Sequence, residues 1–384
     1  MKILAVGGGS GGHVTPVVAV LNQIKHDHPQ ADIRFWCDRP FEKQATSLMH
    51  HFDPSIQIST IIAGKLRRYN HLTVMQQLLW PRLVLLNLRD GFLVGIGLLQ
   101  SIVKLIVWRP DVVFTKGGYV CLPVGLAASV LRIPLVIHDS DAHPGLTNRI
   151  LARYATSIAT GAPLEYYPYP TSISRYIGIP ISDMYAPHSR EQQIEAKKQW
   201  GIRDDKPLIV ITGGGLGAQR INETVAETLH ELRRLGSVVL ISGAGQYDEL
   251  RAFMPPNDDS FQLYPFITDM PILLTAADVV VTRAGMTIIL ELAGLAKPTV
   301  LIPNAKLTGG HQVKNATVYA EKDAVVVVNE EDMMTDRQLL VSAVRTVLED
   351  PTKAHAMAQR LASFAKPHAA RDMAAMIVAA ATSK

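Results

Sequence analysis

At 384 residues the chain is too long for one ordinary hydrophobic core, so two domains of roughly 200 residues or fewer are expected. Its 48% hydrophobic and 19% charged residues fit a globular protein, and a formal net charge of +4 is too small to argue for a nucleic-acid binder. It suits an anionic ligand or an acidic membrane surface instead. Cys37 and Cys121 form neither a C-x-x-C pair nor a disulfide framework, so a reducing compartment is expected.

"KILAVGGGSGGHVTP" opens as a strand running into glycines and then a helical segment, with no apolar stretch of signal-peptide type. Gly7, Gly9 and Gly12 satisfy G-x-G-x-x-G, and Asp38 ends the next strand, "DIRFWCD", where a ribose-binding acid would sit in a dinucleotide fold. Against a nicotinamide reading stands His13, at a helix start that usually packs a small residue on the sheet. "GKLRRY" (64–69) places three cations near an apolar region with Trp80 and Trp108. It reads either as a solvated loop or as a contact for anionic lipid or pyrophosphate. Residues 92–108, "FLVGIGLLQSIVKLIVW", are apolar on nearly every face but short for a span and contain Gln100 and Lys104. A buried or membrane-contacting helix is expected there.

Strands follow at "DVVFT", "PLVIHD" and "SIAT". A Pro-, Tyr- and Ser-rich stretch, "PLEYYPYPTSISRYIGIPISDMYAPHSREQQ", reads as a connection, with a boundary near Gly178 to Pro180. The second half restarts at "KPLIVITGGGLGAQRINETVAETLHELRRL", again strand, glycine turn and helix. "SVVLISG", "FQLYPF", "ADVVVTRAG", "PTVLIP" and "AVVVV" continue the series, and two Ala-rich helices divided at Pro367 end it. Alternation of strand and helix in both halves predicts two parallel-sheet α/β domains facing across a ligand cleft.

Both glycine turns suit anions, because helix amides after the turn point at whatever sits there. His13 is a candidate general base or a loop cap. "IHDSDAHPGLTNR" gathers His138, Asp139, Asp141 and His143; substrate hydrogen bonding or turn structure is favoured over a metal, since Asp139 and Asp141 would point oppositely along an extended segment. Glu291 lies among Ile288, Ile289, Leu290 and Leu292 and needs a partner: a ribose diol, or a cation such as Arg283.

Taken together, "GGGSGGHVTP", "GKLRRY", "RPDVVFTKGGYVCLPVGLAA", "IHDSDAHPGLTNR", "GGGLGAQRIN", "PFITDM", "ADVVVTRAG" with Glu291, and "HQVKNA" resemble the MurG family nearly end to end. These are UDP-N-acetylglucosamine–lipid I N-acetylglucosaminyltransferases of peptidoglycan synthesis. The resemblance implies an α/β GT-B fold, with an acceptor- and membrane-binding domain at 1–178 and a UDP-sugar domain at 179–366. A last helix at 367–384 would pack back on the first domain. It implies no catalytic metal or cofactor, UDP-N-acetylglucosamine and lipid I as substrates, and peripheral attachment at the cytoplasmic face of the membrane beside other cell-wall proteins.

By the same resemblance, Ser10, Gly11, Gly12 and His13 line the acceptor side, with His13 the base and Asp139 able to share that role. Tyr119, His138, Asp141 and Asn148 are further acceptor-side positions. In the donor domain Ile267 contacts uracil through its backbone, Met286, Thr287 and Glu291 hold the nucleotide, and Gln312 reads the sugar. Four positions depart from the family pattern. Gly215 stands where a serine is common, Ser182 where an arginine is, Asp141 where asparagine is, and Gly310 where an acid is. The alternatives are another lipid-directed UDP-sugar transferase, or a degenerate UDP-binding scaffold in cell-wall assembly.

Overall fold

The computed structural model describes all residues except 9, 10, 68–72, 215, 216, 306–309 and 384, and only the backbone of 11–13, 15, 74 and 78. The described chain divides into two compact units, Met1–Ser182 with Lys366–Lys384, and Asp183–Ala365.

In the first unit, β1 (Lys2–Val6), β2 (Asp32–Cys37), β3 (Gln57–Thr60), β4 (Val112–Thr115), β5 (Leu135–Asp139), β6 (Ser157–Thr160) and β7 (Ser174–Tyr176) form one sheet. Its order is β3-β2-β1-β4-β5-β6-β7, with every pairing parallel. β3 and β7 were not legible as strands. β3 is a polar, partly exposed edge, and β7 lies inside the Pro- and Tyr-rich stretch that reads as a connection.

Because side chains alternate across a strand, β1 feeds two cores. Ile3 and Ala5 join Val17, Leu21 and Ile24 of helix Gly11–Asp27 and Met373 and Ile377 of helix Ala369–Thr382. Leu4 and Val6 join Leu105 and Trp108 on the other face.

Those last two residues belong to a helix that starts earlier than residue 92, at Pro81, and runs to Trp108. Two of its polar residues, Asn87 and Asp90, turn toward the protein. Asn87 exchanges hydrogen bonds with the Arg67 backbone at 2.8 and 3.0 Å, and buried Asp90 pairs with Arg67 and Arg89. Burial works to raise the Asp90 pKa, but the two guanidinium groups hold it below the usual carboxylate range. Gly97 permits the close crossing, since a Cβ there would overlap the Ile62 carbonyl oxygen.

In the second unit, β8 (Leu208–Thr212), β9 (Ser237–Ile241), β10 (Phe261–Tyr264), β11 (Val279–Thr282), β12 (Thr299–Leu301) and β13 (Val326–Val327) form a second parallel sheet, ordered β10-β9-β8-β11-β12-β13. In both sheets the strand order reverses beside the first strand, between β1 and β4 and between β8 and β11. Helices diverge there and leave a crevice at the carboxyl ends of the strands, where open α/β sheets bind ligands. Each glycine turn opens into one of these crevices.

Candidate active site

The first crevice is built from the ends of β1, β2, β4 and β5. After β1 the chain turns at Gly7 and Gly8 and enters helix Gly11–Asp27, whose first amides face the crevice. A Cβ on Gly8 would overlap Asp38 Oδ1, so only glycine lets the turn lie against that carboxylate. Asp38 is engaged within the protein: the Tyr119 hydroxyl donates to its Oδ2 at 2.7 Å. Burial, then the hydrogen bond to Asp38 and its charge, push the Tyr119 pKa far above its ordinary value, so the phenol keeps its proton.

The chain leaves β4 through Lys116, which is only 2% exposed. Its ammonium donates to Ser140 Oγ, and burial pulls its pKa down to about 8 against the opposing pull of Asp141 and Asp139. Ser140 Oγ lies 3.5 Å from Nδ1 of fully buried His138, whose Nε2 lies 2.7 Å from the Gly178 carbonyl. A carbonyl only accepts, so Nε2 carries the proton and Nδ1 accepts. His138 is thus a brace between β5 and residue 178, with its ring turned into the protein.

Asp139, at the end of β5, is 4% exposed and accepts from the Tyr169 hydroxyl at 2.7 Å. Burial pushes its pKa up to about 7; Tyr169, Asn148 and Lys116 favour the carboxylate while Asp141 opposes it. A carboxyl poised near neutrality can exchange a proton. Asn148 donates to the His138 carbonyl at 3.2 Å, and its buried Oδ1 has no partner. Asp141 is partly buried, and its carbonyl accepts from Tyr167 at 2.7 Å. Gly11, Gly12 and His13 begin the first helix; the His13 side chain and all of Ser10 lie outside the described residues.

Of the "GKLRRY" cations, Lys65 is exposed and Arg67 is engaged with Asp90, while Arg68 lies outside the described residues. The segment is therefore partly a structural clamp on helix Pro81–Trp108.

The second crevice repeats the plan. After β8, Gly214 and Gly217 take positive φ angles of 80° and 74°, and a Cβ on Gly217 would overlap the Ser242 carbonyl oxygen. Gly215 lies outside the described residues. Two helices start at this crevice, Gln219–Leu235 after β8 and Met286–Gly294 after β11. Neither has a side-chain N-cap, so their first amides and positive dipole ends remain for an anion.

Glu291 is on the second of these helices, and its partner corrects the expectation of Arg283. The Tyr185 hydroxyl hydrogen-bonds to it, and burial pushes its pKa up to about 8 against that hydrogen bond. Arg283 pairs instead with Glu330, which is 3% exposed, and donates to the Ile302 carbonyl at 3.1 Å. Met286 is buried, its sulfur accepting from the Tyr319 hydroxyl at 3.1 Å, and Thr287 beside it is half-buried. Ile267 is buried just beyond β10. Gln312 accepts from the Asn304 amide at 2.9 Å through its side-chain oxygen.

Lys116, Ser140, Tyr169, Tyr185 and Asn315, whose Nδ2 holds the Ala284 carbonyl at 3.1 Å, complete the two crevices without having been singled out in the sequence. Lys116 directly follows a strand within a glycine motif, which was a usable signal; Tyr185 carries none. Among the described residues no group of three or more His, Cys, Asp or Glu has metal-ligand placement.

Residues 3–160 match the glycosyltransferase family 28 N-terminal domain and residues 208–373 its C-terminal domain. The UDP-N-acetylglucosamine--N-acetylmuramyl-(pentapeptide) pyrophosphoryl-undecaprenol N-acetylglucosamine transferase of Halalkalibacterium halodurans is 31% identical over 377 residues, 97% of this chain and 98% of that one. Its namesake, transferase 3 of Bacillus thuringiensis, is 34% identical over 335 residues, 86% and 88% of the two chains. The crystal structure of Acinetobacter baumannii MurG matches with a TM-score of 0.75 at 25% identity, over 98% and 99% of the chains. A calicheamicin glycosyltransferase, at 14% identity and a TM-score of 0.68 over 98% of each chain, shares the fold.

Two parallel α/β domains of this kind define a GT-B glycosyltransferase. The chain belongs to the MurG family of UDP-N-acetylglucosamine-dependent N-acetylglucosamine transferases.

Proposed function

We infer that this protein moves N-acetylglucosamine from UDP-N-acetylglucosamine to the 4-hydroxyl of the N-acetylmuramoyl unit of lipid I, forming lipid II and UDP. The observation that carries the reading is the pair of uncapped helix starts at the second crevice with Glu291 on one of them. UDP leaves with growing negative charge on its diphosphate, which those amides and dipoles stabilise. Glu291 takes the ribose hydroxyls, Met286 and Thr287 flank the nucleotide, the Ile267 backbone meets uracil, and Gln312 reads the sugar.

The acceptor lies against the first crevice, its pyrophosphate near the amides of Gly11 and Gly12. A base takes the proton of the acceptor hydroxyl as its oxygen attacks the anomeric carbon and the bond to UDP breaks, inverting that centre. His13 fills this role, and Asp139, poised near neutral pH, shares or relays the proton. The test is conversion of lipid I by purified protein. Lipid II and UDP should appear in equal amounts, and His13→Ala should lower kcat by about 100-fold or more. A folded protein that binds UDP but leaves lipid I unchanged, or glycosylates only another lipid, overturns the reading.

Helix Pro81–Trp108 is long and apolar enough to cross a membrane, and only 22% of its most apolar window is buried. Leu85, Leu88, Phe92, Leu99, Val103 and Ile106 are exposed at helical spacing and make one stripe, larger than a soluble monomer ordinarily leaves uncovered. The helix is proposed to lie in the lipid headgroup boundary, anchoring the protein peripherally at the cytoplasmic face. Phe92→Asp with Leu99→Asp should abolish co-sedimentation with anionic vesicles while soluble-acceptor activity persists. Unchanged sedimentation overturns the proposal.

A further inference from the structure

A cavity of about 590 Å3 opens at the opposite edge of the second sheet from the glycine turn. Pro207, Asp278 and Pro298 line it, and they immediately precede β8, β11 and β12. The cavity therefore sits at the amino ends of the strands, away from the donor crevice at their carboxyl ends. One side is built from Leu348, Ala354 and Ala358, with His355 and Gln359 of the same helix beside them. The other carries His188, Arg190 and Lys297.

Charge on the polar wall is unbalanced. Asp278 is the one carboxylate among the lining residues, and it is already saturated. Its Oδ2 accepts from the Leu208 amide at 2.7 Å and lies 2.6 Å from Lys197 Nζ; its Oδ1 accepts from Gln193 Nε2 at 3.0 Å. Three cations share this one anion, since Lys297 is buried beside it and Arg190 stands 3.6 Å away on the exposed side. The Lys297 ammonium donates to the carbonyls of Thr275 and Ala277 at 2.6 and 2.8 Å, which leaves one N–H unused. His188 Nδ1 is buried without a hydrogen-bond partner.

The imbalance is felt by the groups themselves. Burial, then Lys197 and Arg190, pull the Lys297 pKa down to about 7 despite the attraction of Asp278. Burial, then Lys297, pull His188 to about 4. Burial is the main cause of both shifts, with the neighbouring cations adding to it, and a bound anion would offset the latter part.

We propose that this cavity is a second binding site, for a small organic anion with an apolar body. The anionic group pairs with Arg190 and the unused N–H of Lys297, the His188 ring lines the cavity beside them, and the body lies on Leu348, Ala354 and Ala358. The volume is that of an ordinary small-molecule site. The proposal does not depend on the transferase reading, because it uses no residue of either crevice.

Phenylbutyrate and its uncharged amide, phenylbutyramide, are the probes. Protein labelled at histidine ring carbons is titrated with each, and the His188 and His355 signals are assigned through His188→Gln and His355→Gln. Phenylbutyrate should shift both signals saturably, the amide should bind roughly tenfold or more weakly, and Arg190→Gln should weaken phenylbutyrate by a similar factor. Arg190 is a surface residue at a helix start, so that variant keeps the fold. No saturable shift, equal binding of acid and amide, or binding indifferent to Arg190→Gln would each overturn the proposal.

Discussion

The Tyr185 hydroxyl holds the Glu291 carboxyl, joining the first residues of the second unit to the helix that starts at its ligand crevice. This contact favours the ionised carboxylate, the form that accepts from a ribose diol, against burial that favours the acid. Tyr185→Phe should therefore raise the KM for UDP-N-acetylglucosamine about five- to tenfold while kcat stays within about twofold. The pH at which donor binding is half-developed should also move upward. Steady-state kinetics across pH checks both, and a fall in kcat alone would contradict this role.

Glu291 also makes stability depend on pH. The folded protein holds its proton up to about pH 8, whereas the unfolded chain releases it near 4.5. Between those values the folded state binds more protons, so this residue's contribution to stability falls as pH rises. Glu291→Gln removes the penalty. The variant should match the parent near pH 4.5 and exceed it by up to about 4 kcal/mol at pH 8, seen as a Tm gain that grows with pH.

Asp139 predicts an activity limb instead. If its carboxylate assists proton removal, the rate should climb as pH passes about 7, and Asp139→Asn should lower kcat and flatten that limb. Tyr169 donates to the ionised form, so Tyr169→Phe should shift the midpoint upward without abolishing turnover. A pH–rate profile unchanged in both variants removes Asp139 from the proton path.

Arg283 and Glu330 form a buried pair supported by Arg220 at 3.3 Å. Glu330→Ala leaves Arg283 unpaired in the interior and should cost about 3–5 kcal/mol in urea unfolding. Replacing both partners, Arg283→Met with Glu330→Leu, should recover most of the loss, because the larger penalty is the orphaned charge and not the absent bond.

What the residues disclosed in advance follows a physical rule. Buried strands such as "LIVIT" and "VVFT" are continuous apolar runs, and glycine turns after them announce a helix and a ligand, so both sheets and both crevices could be read locally. β3 and β7 could not, because an edge strand with polar residues has no distinctive pattern. The apolar run at 92–108 marks only the end of a helix that begins at Pro81; Asn87 and Asp90, which interrupt the apolar pattern before it, close on Arg67 across the fold. Glu291 was recognised as needing a partner, but composition near it suggested Arg283. Tyr185, more than a hundred positions away, is reachable only through tertiary structure. Partners distant in sequence leave no periodicity to detect.

Helix Ala369–Thr382 packs on the first sheet beside helix Gly11–Asp27, through Met373 and Ile377. On a ribosome this orders events in time. The opening strands emerge first, yet one face of their core stays uncovered while the whole of Asp183–Ala365 is made, and is sealed only when the final helix arrives. The second unit is contiguous in sequence and has all its parts sooner. The nascent chain thus completes its domains in the reverse of the order in which it begins them, and loss of the last turn or two of helix would harm the oldest part of the molecule.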